Sequence, residues 1–462
     1  MKKILLISPP AHGLKDKISY PPLGLLYLAS NLQARAYVEI LNMLGPDEKI
    51  TYDHDIFGIS IHSVSSYEPA RRVAHDIRQA NKDALIVMGG SFPTSTARFT
   101  LETTDADVVV IGEGEKVFSN LCSLSSVTPD SLKDIKGIAY KANGSICVNP
   151  LEELIENLDD IKFPARHLLP RQMVRHEGKV HHSDKPATTI FATRGCPFKC
   201  SFCDTNLWRR KWRCRSPQNI ISEIEQVINN YDIRWFRFPD DCITINRNWF
   251  LDFCRKIQPC NVEWTVLSRA DTIDLEMLKL MKDAGCREIF FGFESGSQRL
   301  LDLMQKKAAV QRNIEAVELC RHAGILSCAY MMFGFPGEDE ETIEQTKQFL
   351  LRARPDKSRI STFIPIPGTD VWENPSKYGV RIKQNFSDYW YFDDPDTNQL
   401  YPFALEYDYL WGGNPKMDLL RRDILNFYRQ QGFLSGWTEP KVTTSELSSA
   451  CRQDQPLGVR CY

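Results

Sequence analysis

Three cysteines fall within eight residues of one another, in the string TRGCPFKCSFC that runs from 193 to 203. The C-x3-C-x2-C spacing lets three thiolates fold round one metal centre. Structural zinc sites usually recruit four ligands in paired C-x2-C units. Here the next cysteine, Cys214, lies in a basic, aromatic stretch, WRRKWRCR, with no partner. Three thiolates suit a cubane iron–sulfur cluster that leaves one iron open to an external ligand; a zinc loop is the plainer alternative. The chain has 14 cysteines in 462 residues. Among the others, Cys242, Cys254, Cys286, Cys320 and Cys328 sit in or beside predicted barrel elements and read as small core residues.

A ligand loop needs elements to hold it. From residue 188 the pattern alternates strand and helix six times, with strands over 188–193, 234–238, 263–267, 288–293, 327–333 and 359–364. Ser216 and Pro217 open one of the intervening helices as N-cap and first-turn proline, while Gly285 and Gly324 close others. Six such units predict a partial (β/α)6 barrel of the TIM type, with its chemistry on the C-terminal rim. The cysteine loop directly follows the first of these strands.

The first 125 residues alternate in the same way. Strands are predicted over 3–8 (KILLIS), 56–61, 84–88 and 106–111, and helices over 23–34 and 68–81. Strands that end in Gly or Pro and alternate with helices predict a parallel, doubly wound sheet, which binds ligands at the carboxyl ends of its strands. Residues 126–185 read as a linker with a small β-unit, and 186–375 as the barrel. Residues 376–462 form a mainly helical C-terminal region with a helix over 417–431. Its aromatic run Tyr389, Trp390, Tyr391, Phe392 either caps the barrel mouth over substrate or is a plain packing surface.

Composition narrows the function. The formal charge is −2, with 42% hydrophobic and 25% charged residues. That balance gives no electrostatic footprint for nucleic acid. The apolar run after Met1-Lys2-Lys3 ends at Ser8, too short for a signal peptide. No stretch reaches the roughly 18 apolar residues of a membrane span. A cytoplasmic enzyme is expected, in which clustered cysteines mean metal or catalysis.

With the cysteine loop placed after the first strand of such a barrel, residues 188–370 resemble the radical SAM superfamily. The resemblance implies that Cys196, Cys200 and Cys203 bind a [4Fe–4S] cluster whose open iron chelates the amino and carboxylate groups of S-adenosyl-L-methionine (SAM). One electron then splits SAM into methionine and a 5′-deoxyadenosyl radical, which abstracts hydrogen. By the same likeness Phe202 lies near the adenine. Pro239, Asp240 and Asp241, in FPDD at the second strand's end, accept from the SAM ammonium, which supplies only donors. Ser268 and Arg269 end the third strand, where a guanidinium grips the SAM carboxylate. Glu294 (GFESG, 292–296) accepts from ribose or amine, and Phe333 (FGFPG, 333–337) ends the fifth strand.

Four N-terminal strings, YPPLGLLYLA at 20–29, GISIHS at 58–63, MGG at 88–90 and GEGE at 112–115, resemble the Rossmann-like cobalamin-binding domain that precedes the barrel in one large radical SAM subgroup. The linker from 158 to Ala165 and Arg166 is similar too. That resemblance implies cobalamin contacts from Pro10, Leu23, Gly24, His62, Ser63, Ser65, Gly89, Gly90, Glu113 and Gly114. The cobalt-ligating fingerprint D-x-H-x-x-G is absent: His12-Gly13 lacks the Asp and the spacing, and His54 is misplaced. No histidine ligand is expected from that loop, an arrangement that favours methyl transfer. His181 and His182 read as solvated.

The expected function is therefore a cobalamin-dependent radical SAM methyltransferase acting on an unactivated carbon of a small molecule or peptide. One SAM methylates cob(I)alamin and a second generates the radical. No separate catalytic side chain is named. A reductant such as flavodoxin or ferredoxin is the expected partner. The alternatives are a non-methylating cyclase or ring-rearranging enzyme, a tRNA methylthiotransferase and a non-catalytic cobalamin or metal carrier. The methylthiotransferase needs N-terminal cysteines for a second cluster, yet only Cys122 occurs before residue 126.

Overall fold

A computed structural model describes all residues except 11–20, 33–35, 46–47, 177–184, 205, 384, 387–388, 390–399 and 434–462. The N-terminal sheet has seven strands: β1 (Lys2–Ser8), β2 (Ala36–Asn42), β3 (Ile56–Ser60), β4 (Leu85–Gly89), β5 (Val108–Val110), β6 (Ile138–Ala142) and β7 (Ser145–Val148). Their order is β2-β1-β3-β4-β5-β6-β7, parallel as far as β5 and antiparallel beyond it. Strands β1 and β3–β5 read as nearly continuous apolar runs because helices cover both faces. The hairpin β6–β7 extends pairing past residue 125, where the sequence pattern placed a linker. The unpredicted edge strand β2, AYVEILN, is buried mainly at Ala36 and Val38. Half-covered edges carry little periodic signal.

Residues 158–174 tie the two sheets together. Ala165 N–H donates to Leu26 O at 3.1 Å. Arg166 is buried, donates to Thr189 O at 3.0 Å and pairs with Glu223 at 2.7 Å.

The second sheet is built from β8 (Ala187–Thr189), β11 (Trp235–Phe238), β12 (Glu263–Ser268), β13 (Cys286–Glu294), β14 (Leu326–Phe333) and β15 (Lys357–Thr362). They lie in the order β15-β14-β13-β12-β11-β8, every neighbouring pair parallel. This is the six-strand open barrel expected from the sequence. The small antiparallel pair β9 (Thr193–Arg194) and β10 (Arg213–Cys214) flanks the cysteine loop. The helix Pro217–Tyr231 starts as read: the Ser216 side chain accepts from Asn219 N–H at 3.1 Å, with Pro217 in the first turn. Such a cap contributes about 1 kcal/mol.

Period-two alternation splits each barrel strand. Phe236, Phe238, Trp264, Val266, Ile289, Phe291 and Met331 face outward into one core with Ile220, Ile224, Phe250 and Met277 from the surrounding helices. The intervening residues, such as Arg237, Phe290, Tyr330, Met332 and Ser361, line the lumen. Strands β16 (Val380–Ile382) and β17 (Leu405–Tyr407) and the helix Gly413–Gln430 close the chain over β15. There Tyr428 shares a 2.8 Å hydrogen bond with Ser358. Among the described residues no helix is long and apolar enough to cross a membrane.

Candidate cofactor and active site

Gly195 has φ +84°, and a Cβ there would collide with Lys211 O and Trp208, so only glycine lets the cysteine loop turn down onto the 208–211 segment. Cys203 N–H donates to Cys200 O at 3.2 Å and Ser201 N–H to Met304 O at 2.8 Å. Those bonds fix the loop over the barrel mouth. All three thiols are free of disulfides. Burial pushes the Cys196 thiol up to about 11 and also raises Cys203. Lys306 counters the rise at Cys203, and Arg269 lies near enough to Cys200 for their charges to interact.

This donor set fits the expected cluster. Three otherwise uncommitted thiols share one loop, and cations flank them. Among the described residues no three His, Cys, Asp or Glu side chains crowd closely enough to hold a single ion.

Around the loop the expected SAM residues divide. Asp240 is buried, and its Oδ1 accepts from Ala192 N–H at 3.0 Å, from Thr193 Oγ1 at 2.7 Å and from Thr193 N–H. It therefore braces the strand entering the cysteine loop. Its Oδ2 has no partner, and burial raises the carboxyl to about 7. Asp241 instead is open to the concavity. Enclosure by protein, with Asp204 beside it, raises its carboxyl to about 6, and its charge is felt at Cys196 and Cys203.

Ser268 is sequestered in a hydroxyl cluster, 2.6 Å from Thr244 Oγ1. The Arg269 fork, expected on the SAM carboxylate, bonds Asp271 through Nε and Nη2, each at 2.9 Å, and stacks 3.7 Å over Phe198. Phe333 faces outward, buried against Phe403 with ring centroids 6.1 Å apart. Strand alternation gives the inward position to its neighbour Met332.

Glu294 is the strained member. It has φ +67°, rare for a residue with a side chain, at a register shift between β13 and β14. Its carboxylate folds back over Gly292 to pair with Lys306 at 3.0 Å, and a Cβ on Gly292 would lie 2.5 Å from Glu294 Oε1. Strain of this kind, held by its surroundings, clusters at functional sites.

A cavity of about 350 Å³ opens where the two sheets face each other. Phe202, Cys203 and Asp204 line it from the cysteine loop, Met332 and 361–364 from the barrel rim, and His62, Ser63, Val64, Ser91 and Phe92 from the carboxyl ends of β3 and β4. His62 lines this space, and burial lowers its imidazole below the usual range. Lys306 and Phe202 come together at 5.7 Å. Asp204, Lys306, Met332 and Ser361 were missed in the sequence. Asp204 adjoins Cys203, and Met332 and Ser361 follow from strand parity, but nothing local marks Lys306.

The expected cobalamin edge also has a suitable shape. Gly90 has φ +114° and its would-be Cβ lies 2.5 Å from Ile61 O, so β3 and β4 close up there with no side chain between them. Ser63 and Ser65 are joined at 2.8 Å, and with Gly89 they keep this edge low. Leu23 is buried, Gly24 faces open space, and Gly114 starts the helix after β5. Pro10 is half-buried at the end of β1. Glu113 differs, because both its oxygens are taken. Oε1 pairs with Arg194 at 2.6 Å, while Oε2 pairs with Arg213 at 2.8 Å and accepts Ile155 N–H at 2.7 Å. Its side chain joins the two domains rather than facing a ligand. His12, His181, His182 and the run 390–392 lie outside the described residues. Phe386, just before that run, packs with Tyr67, Phe92 and Phe99 of the N-terminal domain, and Tyr389 packs on Phe386.

Two family descriptions match the chain: Radical SAM superfamily over residues 190–350 and B12 binding domain over 14–122. An uncharacterized methyltransferase of Pyrococcus horikoshii is 32% identical over 402 residues, covering 84% of this chain and 86% of that protein. The anaerobic magnesium-protoporphyrin IX monomethyl ester cyclase of Rubrivivax gelatinosus is 30% identical over 393 residues, covering 80% and 69%. In fold the chain is similar to TsrM of Kitasatospora setae, a radical S-adenosylmethionine methyltransferase, with TM-score 0.72, 16% identity and coverage of 92% and 89%.

Proposed function

This chain belongs to the cobalamin-binding group of the radical SAM superfamily, and from that premise we propose that it methylates an unactivated carbon of a small molecule or peptide held in the interdomain cavity. Its cofactors are a [4Fe–4S] cluster, SAM and cobalamin. When bound, the cluster and SAM supply a hydrogen-abstracting radical and the cobalamin supplies a methyl group.

The observation that carries the reading is the cavity itself. Its lining brings the cysteine loop and barrel rim to one side and the carboxyl ends of β3 and β4 to the other. A substrate there meets both cofactor sites at once. Phe202, Met332, Phe363 and Ile364 make the barrel side apolar, which excludes water from a radical. Asp241 presents an acceptor where a SAM ammonium would lie, while Asp240 keeps the strand before Cys196 in place. Lys306 holds Glu294 beside the same rim. His62 brings a hydrogen-bonding ring to the cavity, its imidazole lowered below the usual range by burial.

The cyclase relatives favour a second reading, in which the same radical starts a ring closure and no methyl group moves. Anaerobic incubation of the reconstituted holoenzyme with SAM and a strong reductant separates the two. Methylation requires S-adenosylhomocysteine to form in amounts at least matching the bound cobalamin. Formation of 5′-deoxyadenosine alone would point to the cyclase.

A further inference from the structure

Glu113 stands at the carboxyl end of β5, in the loop that opens the helix Gly114–Ser123 on the cobalamin-binding edge. Arg194 immediately precedes the turn into Cys196. Arg213 lies directly opposite Arg194 across the β9–β10 pair. The Glu113 carboxylate bridges the two guanidiniums, at 2.6 Å to Arg194 and 2.8 Å to Arg213, and Glu115 takes the other arm of Arg194. Side-chain exposure is 4% for Glu113 and Arg213, 10% for Arg194 and 11% for Glu115. Trp208 lies 5.0 Å from the Arg194 guanidinium and 5.9 Å from that of Arg213, and Tyr27 of the N-terminal domain is 5.7 Å from Arg194. Two glutamates of one domain and two arginines of the other thus form a closed, dry, charge-balanced group.

A planar fork bound by carboxylates on two arms resists sliding in a way that an apolar contact does not. Glu113 and Glu115 belong to the loop and first turn after β5, Arg194 stands two positions before Cys196, and Arg213 is tied to Arg194 by the β9–β10 pairing. We propose that Glu113 is a positioning residue: it sets the separation and angle between the cobalamin-binding edge and the cysteine loop, so that the methyl donor and the radical source address the same substrate carbon. This rests on the reading of the chain as a methyltransferase with both cofactors bound. The bridge acts through geometry and touches neither cofactor.

The test uses the reconstituted full-length holoenzyme carrying cobalamin and the reduced cluster. Pulsed electron paramagnetic resonance measures the spin–spin coupling between cob(II)alamin and the cluster. Wild type gives one narrow coupling. Glu113→Gln, which leaves two buried guanidiniums facing a neutral amide, is expected to keep cluster absorbance but to broaden or shift that coupling. The ratio of S-adenosylhomocysteine to 5′-deoxyadenosine should fall about tenfold or more, the order that ångström-scale misplacement costs. If Glu113→Gln does not fold, the double variant Glu113→Gln with Arg194→Gln removes one charge of each sign. A merely structural role predicts that the double variant recovers both thermal stability and coupling; positioning predicts that stability returns while the coupling stays broad. An unchanged coupling in Glu113→Gln, or its full recovery in the double variant, overturns the proposal. Absence of bound cobalamin from the wild type would instead overturn the functional reading beneath it.

Discussion

The cavity has two unlike walls. On the barrel side three thiols lie within eight residues of sequence, braced by Asp240 and a glycine turn. On the opposite side His62, Ser63, Val64, Ser91 and Phe92 come from two strand ends some thirty residues apart. The difference follows from the bonds each wall makes. Thiolate–iron bonds are few and individually indispensable, so their ligands crowd into one short loop. A large, flat nucleotide-bearing ligand is held by many weak contacts and close backbone approach, which any small residue at a strand end serves.

The contrast can be broken most directly at the cluster. Cys200→Ala should abolish iron–sulfur absorbance and 5′-deoxyadenosine formation together, while Cys214→Ala leaves both in place; survival of either signal in Cys200→Ala would refute the ligand assignment. The barrel rim should respond less completely. Gly292→Ala puts a methyl group into the Glu294 carboxylate and should raise KM for SAM about tenfold, roughly 1.4 kcal/mol, with the cluster absorbance intact. Steady-state SAM titration measures this, and an unchanged KM would remove Glu294 from the SAM site. On the dispersed wall, His62→Ala should weaken cobalamin retention by no more than about tenfold, since each contact in a many-point site carries little. Complete loss in a cobalamin titration would show that this wall too is concentrated in one residue.

An effect on stability alone, away from both cofactor walls, is expected beneath the fifth strand's loop. Glu338 accepts from Gly334 N–H and is fully enclosed, with its carboxyl raised by burial to about 8. Unfolded, the same group loses its proton near pH 4.5. Between those values the folded chain binds the extra proton, so stability is complete below about pH 4.5 and falls as pH rises towards 8. Glu338→Gln should flatten that fall, which is worth on the order of a few kcal/mol. Melting temperatures of the apoprotein from pH 5 to 8 would show it, and parallel curves for variant and wild type would disprove it.

Much of this was legible in the chain. Six barrel strands, five of the parallel strands' helical partners and the cysteine loop follow from periodicity and from Ser, Pro and Gly punctuation. Strand β2 escaped because an edge buries only half its residues; the small β-unit read after residue 125 is the hairpin β6–β7, whose pairing with β5 the local pattern does not show. At the strand ends expected to meet SAM, the motifs mark the ends, yet which side chain turns inward is not written in them. Asp240 and Asp241 are adjacent and chemically identical, but one props the loop and the other is exposed beside Cys196 and Cys203. Phe333 and Met332 exchange roles by strand parity.

The sequence alone put three cysteines in one short loop after the first barrel strand, because metal bonding demands particular atoms at particular spacing. It also determined the order of the two domains, because buried strands and amphipathic helices write their period into the chain. Only the tertiary structure decided what Glu113, Lys306 and Met332 do. Their meaning depends on partners 81, 12 and about 30 residues away, brought close when the barrel rim closes against the N-terminal sheet. A carboxylate takes its role from the cation it meets, and the fold chooses that cation.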